Sequence, residues 1–329
     1  MPMNAEEPLT LVPDESRPSV GVDDGQKSAG ASRFNPKFTD AVIAATGPKA
    51  NKRLAQVMPS LLRHLHDFAR ENEITVDEWM AAVNMVNEAG RMSDEKRNEG
   101  QLLQDILGME TLVDEITYTL ANEAQDQPTA TAILGPFWRH GAPKRNLGDS
   151  IIDADQGGDK THMHGTVTDF TTNKPIANAE IDVWHTAPNG LYEQQDPSQP
   201  DMNLRGRFYT DSQGRYDFIC LRPTSYPIPN DGPAGKLLGL LDRHPMRPAH
   251  IHFIISADGY KPVVTQIFDR KDKHISDDTV FAVKDSLVVD FKPLEGDPRA
   301  NFELPYDFKL ASFEEARKSG MKGATAVAP

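Results

Sequence analysis

The chain has 329 residues, of which 26% are charged and 38% are hydrophobic, a composition typical of one large globular domain or two. Its 49 acidic and 35 basic residues give a net charge of -14, which argues against binding to nucleic acid or to an anionic membrane surface. A single cysteine excludes an internal disulfide and is typical of a reducing compartment, and no apolar run approaches the length of a membrane-spanning helix. The start, "MPMN", lacks the basic and apolar blocks of a signal peptide, so we expect a cytoplasmic protein without membrane insertion.

Residues 1–35 are rich in Pro, Ser, Gly, Asp and Glu and poor in aromatic residues, which predicts a disordered acidic tail. From 36 to 126 the apolar residues recur at helical spacing, which predicts a helical domain. Thr75 and Glu78 have the spacing of a capping box at the start of one helix, and Gly108 is a candidate stop for another.

Residues 127–160 contain the Gly-Pro turn of "ILGPFW" and are predicted to form a linker. Residues 161–311 consist of short alternating runs separated by turn residues, which predicts a β-sandwich. Within "RFYTDSQGRYDFI", turn chemistry from Asp211 to Gly214 between two such runs predicts a hairpin. The expected fold class is therefore α+β, with an N-terminal helical domain, a mainly antiparallel β-sandwich and a C-terminal tail over 312–329.

The sequence contains three His-x-His pairs, and the local structure decides which of them can act together. His64 and His66 lie in the helical stretch "SLLRHLHDFAR", where a two-residue offset points the rings apart. The pair in "THMHGTV" can share a strand face, but no tyrosine or carboxylate cluster is close in sequence. His250 and His252 lie in a predicted apolar strand, "AHIHFIISADGY", where two buried imidazoles need partners or a metal.

The other potential ligands narrow the choice of metal. A zinc peptidase motif, H-E-x-x-H, is missing, and one cysteine excludes a cysteine-rich zinc site. Tyr192 and Tyr226 lie in turn-rich surroundings, where they are either surface aromatics or phenolate ligands. Two phenolates with two imidazoles suit ferric iron, because hard anionic oxygens stabilise the higher charge. Spacing alone does not decide between these readings.

Five segments of the chain resemble the intradiol ring-cleavage dioxygenases of the catechol type, over roughly residues 38 to 310. They are "ILGPFWR", "NGLYEQQDP", "NLRGRFYTDSQGRYDF", "RPTSYPIPNDGPAGKLL" and "RHPMRPAHIHFIISADGYKPVVTQIF". Within that family the Tyr-Pro-Ile-Pro string is similar to hydroxyquinol 1,2-dioxygenases, and the acidic leading tail is similar to a fungal form. The resemblance implies an enzyme that opens an aromatic ring with O2.

The resemblance implies that Tyr192, Tyr226, His250 and His252 hold one Fe(III) per subunit, with Tyr226 acting as both ligand and base. The implied substrate is hydroxyquinol (benzene-1,2,4-triol), cleaved between its two vicinal hydroxyls to 3-hydroxy-cis,cis-muconate, a form of maleylacetate. An alternative is the cleavage of catechol or chlorocatechol to cis,cis-muconates. A non-enzymatic alternative is a β-sandwich binding module in which the tyrosines and histidines are incidental.

The resemblance also assigns the surroundings of the metal. Arg247 is expected to stabilise negative charge on the ring during catalysis, against the alternative of a surface ion pair, and Gln266 is expected to support it. The implied substrate pocket draws on the helical domain, the linker and the turn after Tyr226: Leu102, Asp105, Ile133, Gly135, Pro136, Phe137, Ile228 and Pro229. Leu102 and Ile133 can equally be core residues, and Asp105 a solvated flank of its helix. Asp105 is assigned to the pocket because the third hydroxyl of hydroxyquinol needs a polar hydrogen-bond partner.

The partners implied by the resemblance are a small aromatic diol or triol, O2 and a second copy of the chain. The helical region is expected to form the homodimer interface, in some family members with a lipid between the helices. No part of the sequence by itself indicates the dimer or the lipid.

Overall fold

A computed structural model of the chain describes residues 34–95, 97–118, 127–319 and 321. The predicted acidic tail over 1–35 lies outside the described residues except for its last two positions, as does the end of the predicted C-terminal tail, 322–329. The chain divides into two compact units, Met1–Asn87 and Glu88–Pro329. The described part of the predicted helical region contains five helices, and the boundary between the two units falls inside the third of them.

The first unit contains helices α1 (Phe38–Ala44) and α2 (Lys52–Glu71) and most of α3 (Val76–Met92). Asn51 caps α2 by accepting hydrogen bonds from the backbone N–H groups of the first turn. The predicted capping box begins α3: the Glu78 carboxylate accepts from the Thr75 N–H at 2.8 Å, and Thr75 Oγ1 accepts from the Glu78 N–H at 3.3 Å.

The second unit begins with two short helices, α4 (Glu99–Asp105) and α5 (Met109–Tyr118). Gly108 lies between them with φ +72°, a conformation that glycine adopts at little cost, so the predicted stop is confirmed. Two further helices interrupt or follow the strands, α6 (Pro233–Leu240) and α7 (Phe313–Lys318).

Twelve strands are present in the described part of the second unit. They are β1 (Lys160–Asp169), β2 (Glu180–Trp184), β3 (Arg205–Tyr209), β4 (Arg215–Leu221), β5 (Tyr226–Pro227), β6 (Met246–Arg247), β7 (His250–Ser256), β8 (Val263–Asp269), β9 (Val288–Val289), β10 (Lys292–Pro293), β11 (Phe302–Pro305) and β12 (Phe308–Leu310).

The strands form two five-stranded sheets and a small two-stranded one. One sheet has the order β10-β11-β1-β12, with β4 also paired to β1, and the other has the order β3-β2-β7-β8-β9. The α+β class and the mainly antiparallel pairing are confirmed, since most strand pairs are antiparallel. The sheets are not purely antiparallel, because β1 runs parallel to β11 and β12, and β8 runs parallel to β9.

The predicted hairpin is wrong. Asp211 to Gly214 do form the turn, with a 2.9 Å hydrogen bond from the Gly214 N–H to the Asp211 carbonyl. However, β3 pairs with β2 and β4 pairs with β1, so the chain passes from one sheet to the other. Phe208 of β3 and Phe218 of β4 stack at 4.9 Å. Turn residues specify a chain reversal but do not determine which strand each arm pairs with.

The core lies between the two sheets and is built from alternate residues of each strand. In β7, Ile251, Phe253 and Ile255 are fully buried in this core. Because side chains alternate along a strand, the residues between them, including both histidines, point to the opposite face. This alternation sets the direction of the candidate site.

Within the residues that the structure describes, no helix combines the length and the apolar character needed to cross a membrane.

Candidate active site

The histidine pair of β7 has a well-defined geometry. His250 and His252 are each 2% exposed, and their Nε2 atoms lie 3.1 Å apart. β7 is central in its sheet, where His252 lies opposite Trp184 of β2 and Gln266 of β8. The strand therefore places both imidazoles side by side on one face, as the two-residue period predicts.

The two tyrosines reach the same point from different parts of the chain. Tyr192 follows a turn after β2, and Tyr226 begins β5. Their hydroxyl oxygens lie 3.2 Å apart, and the Tyr226 hydroxyl lies 3.4 Å from His250 Nε2. Both side chains are buried, so the reading of these tyrosines as surface aromatics is wrong. Gly190 allows the turn before Tyr192 to pass close to Tyr226. It has φ +80°, and a Cβ at this position would lie 3.0 Å from the Tyr226 Cβ.

Hydrogen bonding fixes the tautomer of His250. Its Nδ1 lies 2.7 Å from the Pro248 carbonyl oxygen, which only accepts, so Nδ1 carries the proton. Nε2 then presents a lone pair, which accepts from Arg247 Nη1 at 3.1 Å. Burial, with the Arg247 charge nearby, holds the pKa of His250 well below its ordinary value, so the ring is neutral. A neutral imidazole whose Nε2 is unprotonated is the form that binds metals.

The ring of His252 is held by stacking instead. It lies parallel to Trp184, with ring centroids 4.8 Å apart and an angle of 8° between the planes. Its Nδ1 is buried and has no hydrogen-bond partner among the described residues. Burial and the neighbouring His250 lower the pKa of His252 well below its ordinary value, so it too is neutral.

The tyrosines need a positive charge in order to ionise. Burial raises the pKa of Tyr192 well above its ordinary value and also raises the pKa of Tyr226. A buried phenolate is therefore costly unless a cation lies next to it. Two phenol oxygens and two imidazole nitrogens converge within hydrogen-bond distance of one another, and this donor set fits a hard, highly charged metal ion.

Arg247 is buried beside the cluster, at 3% exposure, so the alternative of a surface ion pair is wrong. Its Nη2 donates to Gln266 Oε1 at 2.8 Å, and its Nε donates to Asp278 Oδ1 at 3.1 Å. Asp278 was missed at the sequence level. It lies 31 residues further along the chain, in a loop with no motif that would indicate it.

Gln266 links two parts of the site. Its Oε1 accepts from Arg247, while its Nε2 donates to the Ile133 carbonyl oxygen at 2.6 Å. The side chain thus ties β8 to the predicted linker and orients the guanidinium at the same time.

His185, which follows β2, also lies near both β7 histidines and was missed. Burial lowers its pKa to about 4, and its Nε2 has no partner in the described part of the chain.

The predicted linker residues lie against the cluster. Phe137 stacks on Tyr192, with ring centroids 4.5 Å apart. Gly135 has φ +74°, and a Cβ there would lie 3.3 Å from His252 Cε1, so the backbone passes too closely for a side chain. Pro136 is half-buried.

The remaining apolar pocket residues are also at or near the interior. Leu102, Ile133 and Ile228 are buried, and Pro229 is half-buried. Burial is equally compatible with a pocket wall and with a core position, so the assignment of these residues to the pocket stays a prediction.

Asp105 is buried at 1% exposure, so it is not a solvated flank of its helix. Burial, together with a hydrogen bond to Glu110, raises its pKa to about 9, although the charge of Arg247 acts in the opposite direction. The expected carboxylate is therefore a neutral acid near pH 7. Its Oδ1 has no partner within the described residues.

Glu110, which sequence reasoning missed, is held by the Leu134 N–H at 3.2 Å and the Gln101 side chain at 2.9 Å.

The other His-x-His pairs have separate partners. His162 and His164 lie on β1, with their Nε2 atoms 3.3 Å from an Asp217 oxygen and 3.7 Å from a Glu303 oxygen. His66 bonds to a threonine hydroxyl at 3.0 Å through Nδ1. None of these three rings contacts a tyrosine in the described structure.

A second group that could hold a metal ion consists of His244, His274 and Asp277. Each histidine reaches one carboxylate oxygen of Asp277, at 3.1 and 3.0 Å. His244 Nδ1 accepts from the Met246 N–H, so its Nε2 carries the proton that it donates to Asp277. That arrangement is already satisfied as hydrogen bonds, and it contains no phenol oxygen, unlike the cluster around β7.

Comparison with known proteins places the chain in a family. A family model described as the catechol dioxygenase N terminus matches residues 51–125, and one described as dioxygenase matches residues 133–312. An intradiol ring-cleavage dioxygenase of Aspergillus niger is 48% identical over 85% of this chain and 89% of its own length. A catechol 1,2-dioxygenase of Candida albicans is 45% identical over 85% of this chain and 94% of its own length.

The crystal structure of a hydroxyquinol 1,2-dioxygenase of Pseudomonas putida is similar in fold, with a TM-score of 0.74 and 37% identity. The match covers 83% of this chain and 97% of that one. The chain therefore belongs to the intradiol ring-cleavage dioxygenases. It is an enzyme of that family, and the reading of the sandwich as a mere binding module is wrong.

The buried acid of Asp105 leads to a prediction about stability. Between about pH 4 and 9 the folded protein keeps a proton on Asp105 that the unfolded chain has released, so this group makes the protein less stable as the pH rises. Asp105→Asn removes the titration, and we expect the variant to gain stability over the parent as the pH rises from about 5 to 8. Urea unfolding of both proteins at the two pH values measures the gain.

Asp211→Asn is the control. Hydrogen bonds from the Arg215 backbone lower the pKa of Asp211, so its removal is expected to give no gain with rising pH. If the free energy of unfolding of Asp105→Asn differs from that of the parent by the same amount at both pH values, the proposed protonation of Asp105 is contradicted.

Proposed function

We propose that the chain is a non-haem iron enzyme that cleaves hydroxyquinol between its two vicinal hydroxyls with O2, giving 3-hydroxy-cis,cis-muconate. One Fe(III) per subunit would be held by Tyr192, Tyr226, His250 and His252. The observation that carries the proposal is the convergence of two buried phenol oxygens and two neutral imidazole nitrogens at one point. Ferric iron, when bound there, supplies the Lewis-acid and redox chemistry that allows a bound diol to react with O2.

Tyr226 is the residue best placed to take a proton from the substrate. Its hydroxyl lies between the Tyr192 hydroxyl and His250 Nε2, so it has hydrogen-bond partners on both sides. Tyr192 has the Phe137 ring stacked on it and the Arg205 guanidinium 5.9 Å from its ring centroid. If Tyr226 is held as a phenolate, a substrate hydroxyl within hydrogen-bond distance of its oxygen would be able to pass its proton to it.

Arg247 would stabilise negative charge that moves onto the ring as it reacts. The guanidinium is always charged, and Gln266 and Asp278 hold it in one orientation. Since both partners are fixed before substrate arrives, little reorganisation is needed during the reaction.

Asp105 supports the choice of a triol over a diol. Its hydrogen bond to Glu110 occupies one side of the acid, and the unpartnered Oδ1 is left to accept a hydrogen bond from a third ring hydroxyl. Because the acid is neutral, this hydrogen bond is expected to be weaker than one to a carboxylate.

Catechol is a second candidate substrate, with cis,cis-muconate as product and chlorocatechols as variants. It is favoured by the 45% identity to the catechol 1,2-dioxygenase of Candida albicans. Hydroxyquinol and catechol differ by one hydroxyl, so the choice depends on whether Asp105 Oδ1 meets that group.

The metal assignment predicts which histidines are needed for iron. His250→Ala or His252→Ala should lose most of the bound iron and the colour of a phenolate-to-iron band, because each removes one of four donors. Iron analysis and visible absorbance of the purified proteins measure both effects.

His162→Ala and His164→Ala are matched controls, since these residues form another strand pair with the same spacing, and both should keep iron and colour. Full iron in either β7 variant would refute the site. Loss of iron in a β1 variant would show that the wrong pair was chosen.

The role of Asp105 predicts a change in substrate preference. Removing a neutral acceptor costs about 0.5 to 1.5 kcal/mol, so Asp105→Ala should lower the preference for hydroxyquinol over catechol about two- to tenfold. Asp105→Asn keeps an acceptor oxygen at the same position and should retain most of the preference. Specificity constants from oxygen uptake, with iron content checked, give the ratio for each protein.

Two results would count against this account. An unchanged ratio in Asp105→Ala would remove this residue from substrate selection. If the parent enzyme prefers catechol, then catechol rather than hydroxyquinol is its substrate, and the proposal for the iron site is unaffected.

We also propose that the chain forms a homodimer through its helical region, with or without a lipid between the helices. The support is a stripe of exposed apolar side chains along one face of α2, at helical spacing: Leu54, Leu61, Leu65 and Phe68. A large exposed apolar patch of this kind typically marks an interface.

Light scattering tests the dimer. Leu65→Glu puts a charge in the stripe and should convert the dimer to monomer, while Gln56→Glu adds the same charge at an exposed position off the stripe and should not. A parent that is monomeric at micromolar concentration would rule the dimer out.

A cytoplasmic location is the last part of the proposal. The one cysteine, Cys220, is a buried free thiol in the core, and burial raises its pKa, so it is unreactive. A single inert thiol is compatible with a reducing compartment.

A further inference from the structure

A cavity of about 770 Å3 lies in the second unit, away from the residues assigned to the metal. Its walls come from the end of α5, residues 127–131, the start of β8 and the neighbourhood of β12. A cavity of this size is in the range that takes a small organic molecule. Nothing in the proposed ring-cleavage chemistry uses it.

Lys261 is the unusual residue of this cavity. Its side chain is 5% exposed, and its Nζ is buried without a hydrogen-bond partner among the described residues. The ammonium lies 4.2 Å from the centroid of the Tyr118 ring, a cation–π contact that offsets only part of the cost of burial. Burial lowers the pKa of Lys261 to about 8, against the raising effect of Asp114.

The neighbouring acidic groups are already engaged or exposed. Asp114 accepts from Lys284 Nζ at 2.9 Å and from a threonine hydroxyl at 2.8 Å. Asp307, on another wall, accepts from the Thr166 N–H at 2.7 Å and from the Thr166 hydroxyl at 2.8 Å. Glu115 also lines the cavity but is exposed. The Lys261 ammonium is thus left with a nearby ring and no paired anion in the described structure.

The surroundings of Lys261 are apolar on one side. Pro262 and Val263 follow it along the chain, and Ala130 and Ala311 line the same cavity. A buried cation at the edge of an apolar wall is complementary to a ligand that carries a carboxylate on a hydrocarbon body.

We propose that this cavity binds a small organic carboxylate, whose anionic group pairs with Lys261 and whose hydrocarbon part lies against Pro262 and Val263. A carboxylate is the simplest anion that accepts hydrogen bonds from an ammonium while carrying an apolar body. Two sources share this chemistry: an unsaturated dicarboxylate of the kind that ring opening releases, and a short-chain fatty acid.

Calorimetric titration of the iron-loaded enzyme tests the proposal, with cis,cis-muconate in one arm and octanoate in the other. The parent should bind one of the two at a site that Lys261→Met weakens at least about tenfold, because a charge-assisted hydrogen bond is lost. Lys261→Arg keeps the charge and should retain most of the affinity. Lys174→Met removes an exposed lysine outside the cavity and should bind as the parent does.

Ring-cleavage activity distinguishes this site from the iron centre. All three lysine variants should keep the parent kcat, which also shows that they fold. Weaker binding of the acid by Lys261→Met, with ring-cleavage activity intact, supports the proposal. The acid whose binding weakens, cis,cis-muconate or octanoate, identifies the source of the carboxylate. Equal affinity of the parent and Lys261→Met, or no binding of either acid at millimolar concentration, would overturn it.

Discussion

The buried guanidinium of Arg247 is the interaction on which the site depends. It contacts His250 on β7, Gln266 on β8 and Asp278 in a distant loop, so one charge joins three parts of the chain. A buried charge is stable only when it is paired and hydrogen-bonded, and here Asp278 pairs with it while Gln266 and His250 accept further hydrogen bonds. Gln266 extends the network to the Ile133 carbonyl and so holds the linker against the cluster.

The same exclusion of water sets the protonation of the whole site. Burial keeps both histidines neutral and raises the pKa of both tyrosines, and it keeps a proton on Asp105. In such surroundings a group ionises only beside an opposite charge. The proposed iron site fits this environment, since a cation placed among two phenols and two neutral imidazoles would allow the phenols to ionise. The proposed role of Asp105 fits it as well, since a neutral acid accepts a hydrogen bond from a hydroxyl. Both proposed roles, metal binding and substrate choice, would thus depend on one low-dielectric environment.

One sequence-based prediction, the hairpin, and one alternative reading, that of Asp105, were wrong for related reasons. The turn at Asp211 was recognised, but its two arms pair with β2 and β1, which lie earlier in the chain, rather than with each other. The alternative reading of Asp105 as a solvated flank of its helix was wrong as well, because the side chain is buried at 1% exposure. In both cases local pattern was correct, and long-range packing decided the outcome.

The sequence by itself determined the helical first part, the strand that presents both histidines on one face, and the order of tyrosines and histidines that identifies the family. These features depend on spacing within a few residues, which backbone geometry translates directly into direction. Only the tertiary structure decided which histidine pair meets the tyrosines, that Asp278 pairs with Arg247, and that Lys261 is buried without an anion. Those outcomes depend on burial and on contacts between residues far apart in the chain, which no local pattern encodes.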